Sequence, residues 1–134
     1  MAAPGNTCEG ARCSAPFLIL VWAGLAGAAG VALSAATAHK VDSPALATAA
    51  NILTLHAAAA VGIFAVALRS MRPKLWGLAA VLMLFAASLF SGEIAFHTFT
   101  GNASLRFLAP VGGSGMILSW LLVAVAGLFS ARGK

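Results

Sequence analysis

Three histidines and one glutamate are the side chains in this chain whose types and positions could support chemistry. His56 lies inside a long apolar run, and Glu93 and His97 are four residues apart, which places them on one face of a helix. His39 closes an earlier apolar run. An ionisable group inside a membrane is costly unless it is paired or hydrated, so each one is a candidate functional residue. His56, the deepest of the four, is the best single candidate.

Two interpretations of His56 remain open. The imidazole could handle a proton or cation together with Glu93, in a site that opens outward. Alternatively, a neutral imidazole could hydrogen-bond a neighbouring helix and stabilise the packing, and we favour this structural role. Glu93 and His97 could form an ion pair at the outer surface, or could simply be solvated there.

Metal, cofactor and catalytic sites have little support in the sequence. His39, Glu93 and His97 have acceptable ligand types, but no local ligand motif such as HExxH accompanies them. Two axial haem ligands should lie at similar depth, whereas His56 is deep and the other two histidines are near the surface. With three acidic residues and no Ser/His/Asp set or phosphate loop, we predict no metal, no cofactor and no catalytic residues. An enzyme that acts on lipid or quinone is the least favoured alternative.

The elements that must position these residues are four long apolar stretches. They cover residues 17–38, 46–68, 75–96 and 108–129, and about 20 residues suffice to cross about 30 Å of hydrocarbon. Apolar residues make up 61% of the chain and charged residues 8%, with a mean hydropathy of +0.98. We predict an all-α integral membrane four-helix bundle, with a cytoplasmic tail at 1–16 and a single domain at 17–134.

The basic residues indicate the orientation of the chain. Six of the eight lie on the side of the two termini and the middle loop, and two lie on the other side. The six are Arg12, Arg69, Arg72, Lys74, Arg132 and Lys134, and the two are Lys40 and Arg106. The positive-inside rule therefore predicts cytoplasmic termini. No basic patch beside aromatic residues is present, so we predict no nucleic-acid partner.

The N-terminal region has two features to which we assign no special role. The small residues around Ala36 and Ala38 resemble a signal-peptide cleavage site, but the first apolar run is too long for that, and we expect the first helix to stay. Cys8 and Cys13 are expected to be incidental thiols in a reducing compartment.

Small residues should let the helices approach closely, because apolar side chains gain little by leaving lipid for a helix interface. Their stripes are expected to mediate packing within the bundle rather than a homodimer. The predicted packing residues are Gly27, Gly30, Gly92, Pro110, Gly112 and Gly113.

Four motifs, in order along the chain, carry a family resemblance. They are AATAHK, LHAAAAVG, LFSG and APVGGSGMILSW. The chain resembles the domain of unknown function 423 family of small bacterial membrane proteins. The resemblance implies four transmembrane helices in the bacterial inner membrane and no assigned activity. Lys40, Ile52-Leu53 and Glu93 depart from the family pattern, and Glu93 is a possible speciality of this protein.

The function predicted from the sequence is association. We expect a small inner-membrane protein that is a component or modulator of a membrane complex, with lipid and a membrane-protein partner or a second copy as partners. The alternative is the outward-opening proton, cation or cofactor site centred on His56 and Glu93.

Overall fold

The chain folds into four α-helices and, within the described residues, no strand. The structure, a computed structural model, describes residues 10–131, with side chains for residues 17–130. The helices are α1 (Gly10–His39), α2 (Pro44–Ala67), α3 (Pro73–Thr100) and α4 (Leu108–Ala131). Each one contains a segment long and apolar enough to cross a membrane. The predicted fold class, an all-α membrane protein with four spans, is confirmed.

Proline and glycine set several helix ends. Pro44 and Pro73 stand in the first turns of α2 and α3, where a missing backbone N–H breaks no helical hydrogen bond. Ser43 caps α2, its hydroxyl accepting a hydrogen bond from the backbone N–H of Leu46 at 3.3 Å. Gly101 ends α3 in the left-handed conformation, with φ of 69°, which suits a residue without a side chain. At their N-terminal ends, α2 and α3 each begin two residues before the apolar segments predicted from the sequence.

The first helix begins earlier than hydropathy suggested. α1 starts at Gly10, so the predicted boundary between the tail and the domain, at residue 16, lies inside a helix. Cys8 lies outside the described residues, as does the side chain of Cys13. The apolar span within α1 runs from Phe17 to His39.

Helices that follow one another in the chain pack against one another. The extensive contacts pair α1 with α2, α2 with α3 and α3 with α4, and α1 also meets α3 over a smaller area. α2 and α3 therefore form the inner pair, and 44% of each span is buried, compared with 17% in α1 and 22% in α4. Alanines such as Ala57, Ala60, Ala80 and Ala87 line the core and allow close backbone approach.

Two of the predicted packing glycines lie where helices touch. A Cβ on Gly30 would collide with the side chain of Thr54 on α2, and a Cβ on Gly112 would lie 2.7 Å from both the Ala86 carbonyl oxygen and the Phe90 backbone nitrogen on α3. At Gly112 the obstacle is the backbone of α3, so only glycine fits there without moving that helix, whereas at Gly30 the Thr54 side chain must shift and the α2 backbone, 3.1 Å away, must give slightly. The small-residue face of α1 that contains Gly30 is thus turned toward α2.

The other predicted packing residues are less constrained. A Cβ on Gly27 would meet Ala57 at an ordinary 3.8 Å, and one on Gly92 or Gly113 would meet nothing within 4 Å. Pro110 lies in the first turn of α4, where its missing N–H has no helical acceptor. Close helix contact therefore does not require glycine at positions 92 and 113.

The two ends of the bundle carry different ionisable residues. At one end, called the Arg69 end, α2 and α4 finish and α3 begins, joined by the turn that carries Arg69 and Arg72. At the opposite end, called the His97 end, α1 and α3 finish and α2 and α4 begin. His39 and Glu93 belong to the His97 end, and His56 lies at the middle of α2.

Candidate functional site

His56 is held by two hydrogen bonds from opposite sides of its ring. The side chain is 7% exposed and lies on the buried face of α2 with Leu53 and Ala60. Nδ1 lies 2.7 Å from the Ile52 carbonyl oxygen, and Nε2 lies 3.2 Å from the indole nitrogen of Trp120 on α4. A carbonyl can only accept and an indole N–H can only donate, so Nδ1 carries the proton and Nε2 accepts. The ring is therefore the neutral Nδ1–H tautomer, with both nitrogens occupied by protein groups.

Trp120 also packs against the ring that it binds. The two ring centroids are 6.0 Å apart at an interplanar angle of 68°, an edge-to-face arrangement. The indole is 45% exposed, so one side of it contacts His56 while the rest faces the surroundings of the bundle. Beyond this packing, the N–H of Trp120 joins α4 to α2.

Each of the three tryptophans joins two helices in this way. Trp22 on α1 donates to the Ser88 hydroxyl on α3 at 3.3 Å, and Trp76 on α3 donates to the Ser130 hydroxyl on α4 at 3.4 Å. With the Trp120 bond, these tryptophan bonds link three different helix pairs. Sequence reasoning missed all three, because the partners are distant in the chain and only the rotation of each helix brings them together.

Ser91 supplies another bond between helices. Its side chain is fully buried, and its hydroxyl donates to the Ala49 carbonyl oxygen on α2 at 2.9 Å. Among the described residues, no fully enclosed side-chain nitrogen or oxygen lacks a hydrogen-bond partner. The Ser91 bond and the three tryptophan bonds join different helices, whereas hydroxyls such as those of Thr54 and Ser119 bond carbonyl oxygens of their own helix.

Glu93 is the buried acidic group of the described chain. Its side chain is 6% exposed, and within residues 17–130 it takes part in no side-chain hydrogen bond or ion pair. Glu93 lies one turn beyond Phe90, the residue against which Gly112 packs, and this places it near the level of the first turn of α4.

The structure separates the two residues that the alternative prediction combined. Ser91 and Ala49 are level with each other, and His56 lies seven residues below Ala49 while Glu93 lies two residues above Ser91. At a rise of 1.5 Å per residue, the two groups are about 14 Å apart along the bundle axis. His56 and Glu93 therefore do not form a single site with direct contacts.

The remaining candidates lie at the His97 end. His39 is exposed at the end of α1, and His97 is partly buried one turn after Glu93. No ion pair joins Glu93 and His97 in the described part of the chain. Within the same residues, no group of three or more His, Cys, Asp or Glu side chains is placed to hold a metal ion.

Comparison with known proteins identifies a family but no activity. A family model described as "Protein of unknown function (DUF423)" matches residues 26–113, about two thirds of the chain. The match confirms the resemblance drawn from the four motifs. It includes His39, His56, Glu93 and His97, and it ends before Trp120. No solved structure matches the chain.

Proposed function

Because this chain belongs to the DUF423 family of proteins of unknown function, we propose its role from its geometry: it acts by associating with another membrane protein or with a second copy of itself. The observation that carries the proposal is the state of His56. The ring singled out as the best candidate for chemistry has both nitrogens bound by protein groups, and it joins α2 to α4. An imidazole held in this way stabilises the packing of the helices.

The outward face of α1 supports association. Gly24, Ala28 and Ala32 are four residues apart and exposed, and a Cβ on Gly24 would meet nothing within 4 Å. They lie on the side of α1 that faces away from the Gly30 contact with α2. Small residues at this spacing let a second helix approach closely in lipid, as in other membrane helix pairs. The exposed face of α4 carries bulkier residues such as Ile117, Leu118 and Leu121.

The test of this proposal is a comparison of two exposed helix faces. Ala28→Leu should weaken the complex formed by the full chain in membranes, and the matched variant Ala124→Leu, on the exposed face of α4, should leave it intact. The complex is measured by crosslinking in membranes followed by mass determination in mild detergent. Free monomer in both membranes and detergent, with no crosslinked partner, would contradict the proposal.

The proposed setting is the bacterial inner membrane, with both termini in the cytoplasm. The support is the distribution of basic residues, six on the side of the termini and two on the other. Single cysteines introduced at Ser70 and Asn102, in a chain whose Cys8 and Cys13 are replaced by serine, would test it. A membrane-impermeant thiol reagent added to intact cells stripped of the outer membrane should label position 102 and not position 70.

A second candidate function is a proton or cation site at Glu93. The observation that favours it is a glutamate whose side chain is 6% exposed, while its carboxylate oxygens are not fully enclosed and have no hydrogen-bond or ion-pair partner among the described side chains. The chain reconstituted in vesicles should then move protons or cations faster than protein-free vesicles do, and Glu93→Gln should abolish the excess. Asp42→Asn is the matched control, because Asp42 is an exposed carboxylate at the same end. No excess flux, or equal loss in both variants, would remove this candidate.

A further inference from the structure

A cavity of about 820 Å³ lies at the Arg69 end of the bundle. Its walls come from the last turn of α2, the turn that follows it, the first turn of α3 and the last turn of α4. The side chains that define its chemistry are Arg69, Arg72, Trp76 and Phe129, together with the apolar Val66. None of the candidate residues identified in the sequence lies in it.

The cavity carries positive charge that the described chain does not neutralise. Arg69 and Arg72 both line it, and the guanidinium carbon of Arg72 lies 5.3 Å from the centre of the Phe129 ring. This cation–π contact holds the Arg72 charge over an aromatic wall. The acidic side chains of the described residues, Asp42 and Glu93, both belong to the His97 end. The cavity is therefore complementary to an anion.

The walls around the two arginines are apolar and lie at the edge of the membrane. The spans of α2 and α4 end at Ala67 and Ser130, and the span of α3 begins at Pro73. A bilayer crossed by these spans would have its boundary between hydrocarbon and headgroups at the level of the cavity. The Trp76 ring is buried, and its N–H is already bound to Ser130. Val66, inside the α2 span, is exposed beside it, so the cavity opens toward the outer surface of that span.

We propose that this cavity binds the headgroup of an anionic phospholipid. Arg69 and Arg72 donate hydrogen bonds to the phosphate oxygens, for which guanidinium groups have a matching planar geometry. The glycerol and the first acyl carbons lie against Trp76, Phe129 and Val66. A free, hydrated phosphate would leave this apolar wall uncovered, and the volume is within the range of about 300–1,000 Å³ typical of sites for small organic ligands. The site is separate from the α1 face proposed for association.

The test compares charge removal inside and beside the cavity. The full chain is purified in mild detergent, and its binding of phosphatidylglycerol and of zwitterionic phosphatidylcholine is measured by native mass spectrometry. We expect the double variant Arg69→Gln/Arg72→Gln to lose roughly tenfold or more in phosphatidylglycerol affinity. Phosphatidylcholine has the same phosphate group, but its choline cation offsets the charge, so it should bind the original chain more weakly and lose less affinity in the variant. Lys74→Gln is the matched control, because Lys74 lies at the same end but does not line the cavity. Helix content and thermal unfolding of all variants are measured alongside.

Three results would overturn the proposal. Equal phosphatidylglycerol binding by the original chain and the double variant would show that the arginines hold no headgroup. Equal weakening by Lys74→Gln would reduce the effect to general attraction between a basic surface and an anionic lipid. Displacement of the lipid by millimolar inorganic phosphate alone would mean that the cavity binds the free anion. If the double variant does not fold, Arg72→Lys serves instead, and a selective loss of phosphatidylglycerol is still expected since lysine lacks the planar fork.

Discussion

The indole N–H of Trp120 and the Nε2 atom of His56 form a hydrogen bond of 3.2 Å at the middle of the membrane span of α2. The two residues are 64 positions apart in the chain and lie on helices that are not sequence neighbours. This bond, with the one from Nδ1 to Ile52, accounts for the full hydrogen-bonding capacity of a neutral imidazole.

Removing either partner of the His56–Trp120 pair should destabilise the bundle by about 1 kcal/mol, because each substitution leaves a polar group without its partner. His56→Ala, Trp120→Phe and the double variant form a cycle, measured as the free energy of unfolding in detergent micelles. The loss in the double variant should be smaller than the sum of the two single losses. Trp22→Phe combined with His56→Ala is the control and should be additive, since Trp22 binds Ser88. Additivity in both pairs would contradict the hydrogen bond.

The tautomer of His56 can be observed directly. Nitrogen-15 NMR of the labelled chain in lipid should show a proton on Nδ1 and a bare acceptor at Nε2, because the partners of the two atoms are a carbonyl and an N–H. Trp120→Phe should change the Nε2 signal and leave the Nδ1 signal little altered. A doubly protonated ring, or a proton on Nε2, would be incompatible with this geometry.

Alanine substitutions at the two adjacent glycines near the start of α4 should have sharply different effects on the stability of the bundle. Gly112→Ala should destabilise the bundle by about 1–3 kcal/mol, since the added methyl group must push α3 away at Ala86 and Phe90. Gly113→Ala should be neutral or stabilise by up to about 1 kcal/mol, because the space is open and alanine favours helix. Thermal unfolding of the two purified variants measures the difference. Equal effects would mean that α3 and α4 do not meet at Gly112.

Two fully buried serines offer a matched comparison of hydrogen bonds. Ser91 donates to Ala49 on another helix, whereas Ser119 donates to Met116 on its own helix. Ser91→Ala should cost about 1 kcal/mol of unfolding free energy, and Ser119→Ala should cost less, because only the first bond joins two helices. Chemical unfolding followed by circular dichroism compares them. A larger loss for Ser119→Ala would contradict the assignment.

Hydropathy was sufficient for the fold because lipid imposes a length and a composition on every span. It placed one apolar segment on each observed helix, the second running one residue past the end of α2, but it could not give the helix ends. α1 begins in a segment of ordinary polarity at Gly10, and the ends of α2 and α3 depend on proline and capping residues. The end of a span and the end of a helix are separate properties, and only the first is set by the membrane.

The candidate site was harder to predict, because it depends on how each helix is rotated. The sequence indicated that His56 was buried and that a structural role was favoured, but not which residue would bind it. Trp120 has no mark that distinguishes it from a lipid-facing aromatic residue. The separation of His56 from Glu93 likewise depends on the register between α2 and α3, which the Ser91–Ala49 bond fixes.

The pairing of successive helices has a consequence for how the protein is made. Because α1 packs on α2, α2 on α3 and α3 on α4, every helix after α1 has a main packing partner that is synthesised just before it. Trp120 lies on α4, so it is synthesised after α2, which carries His56, and after α3. The ring can therefore gain its bond from Trp120 only after α4 has been synthesised, and a chain truncated before α4 would leave Nε2 of His56 without this donor.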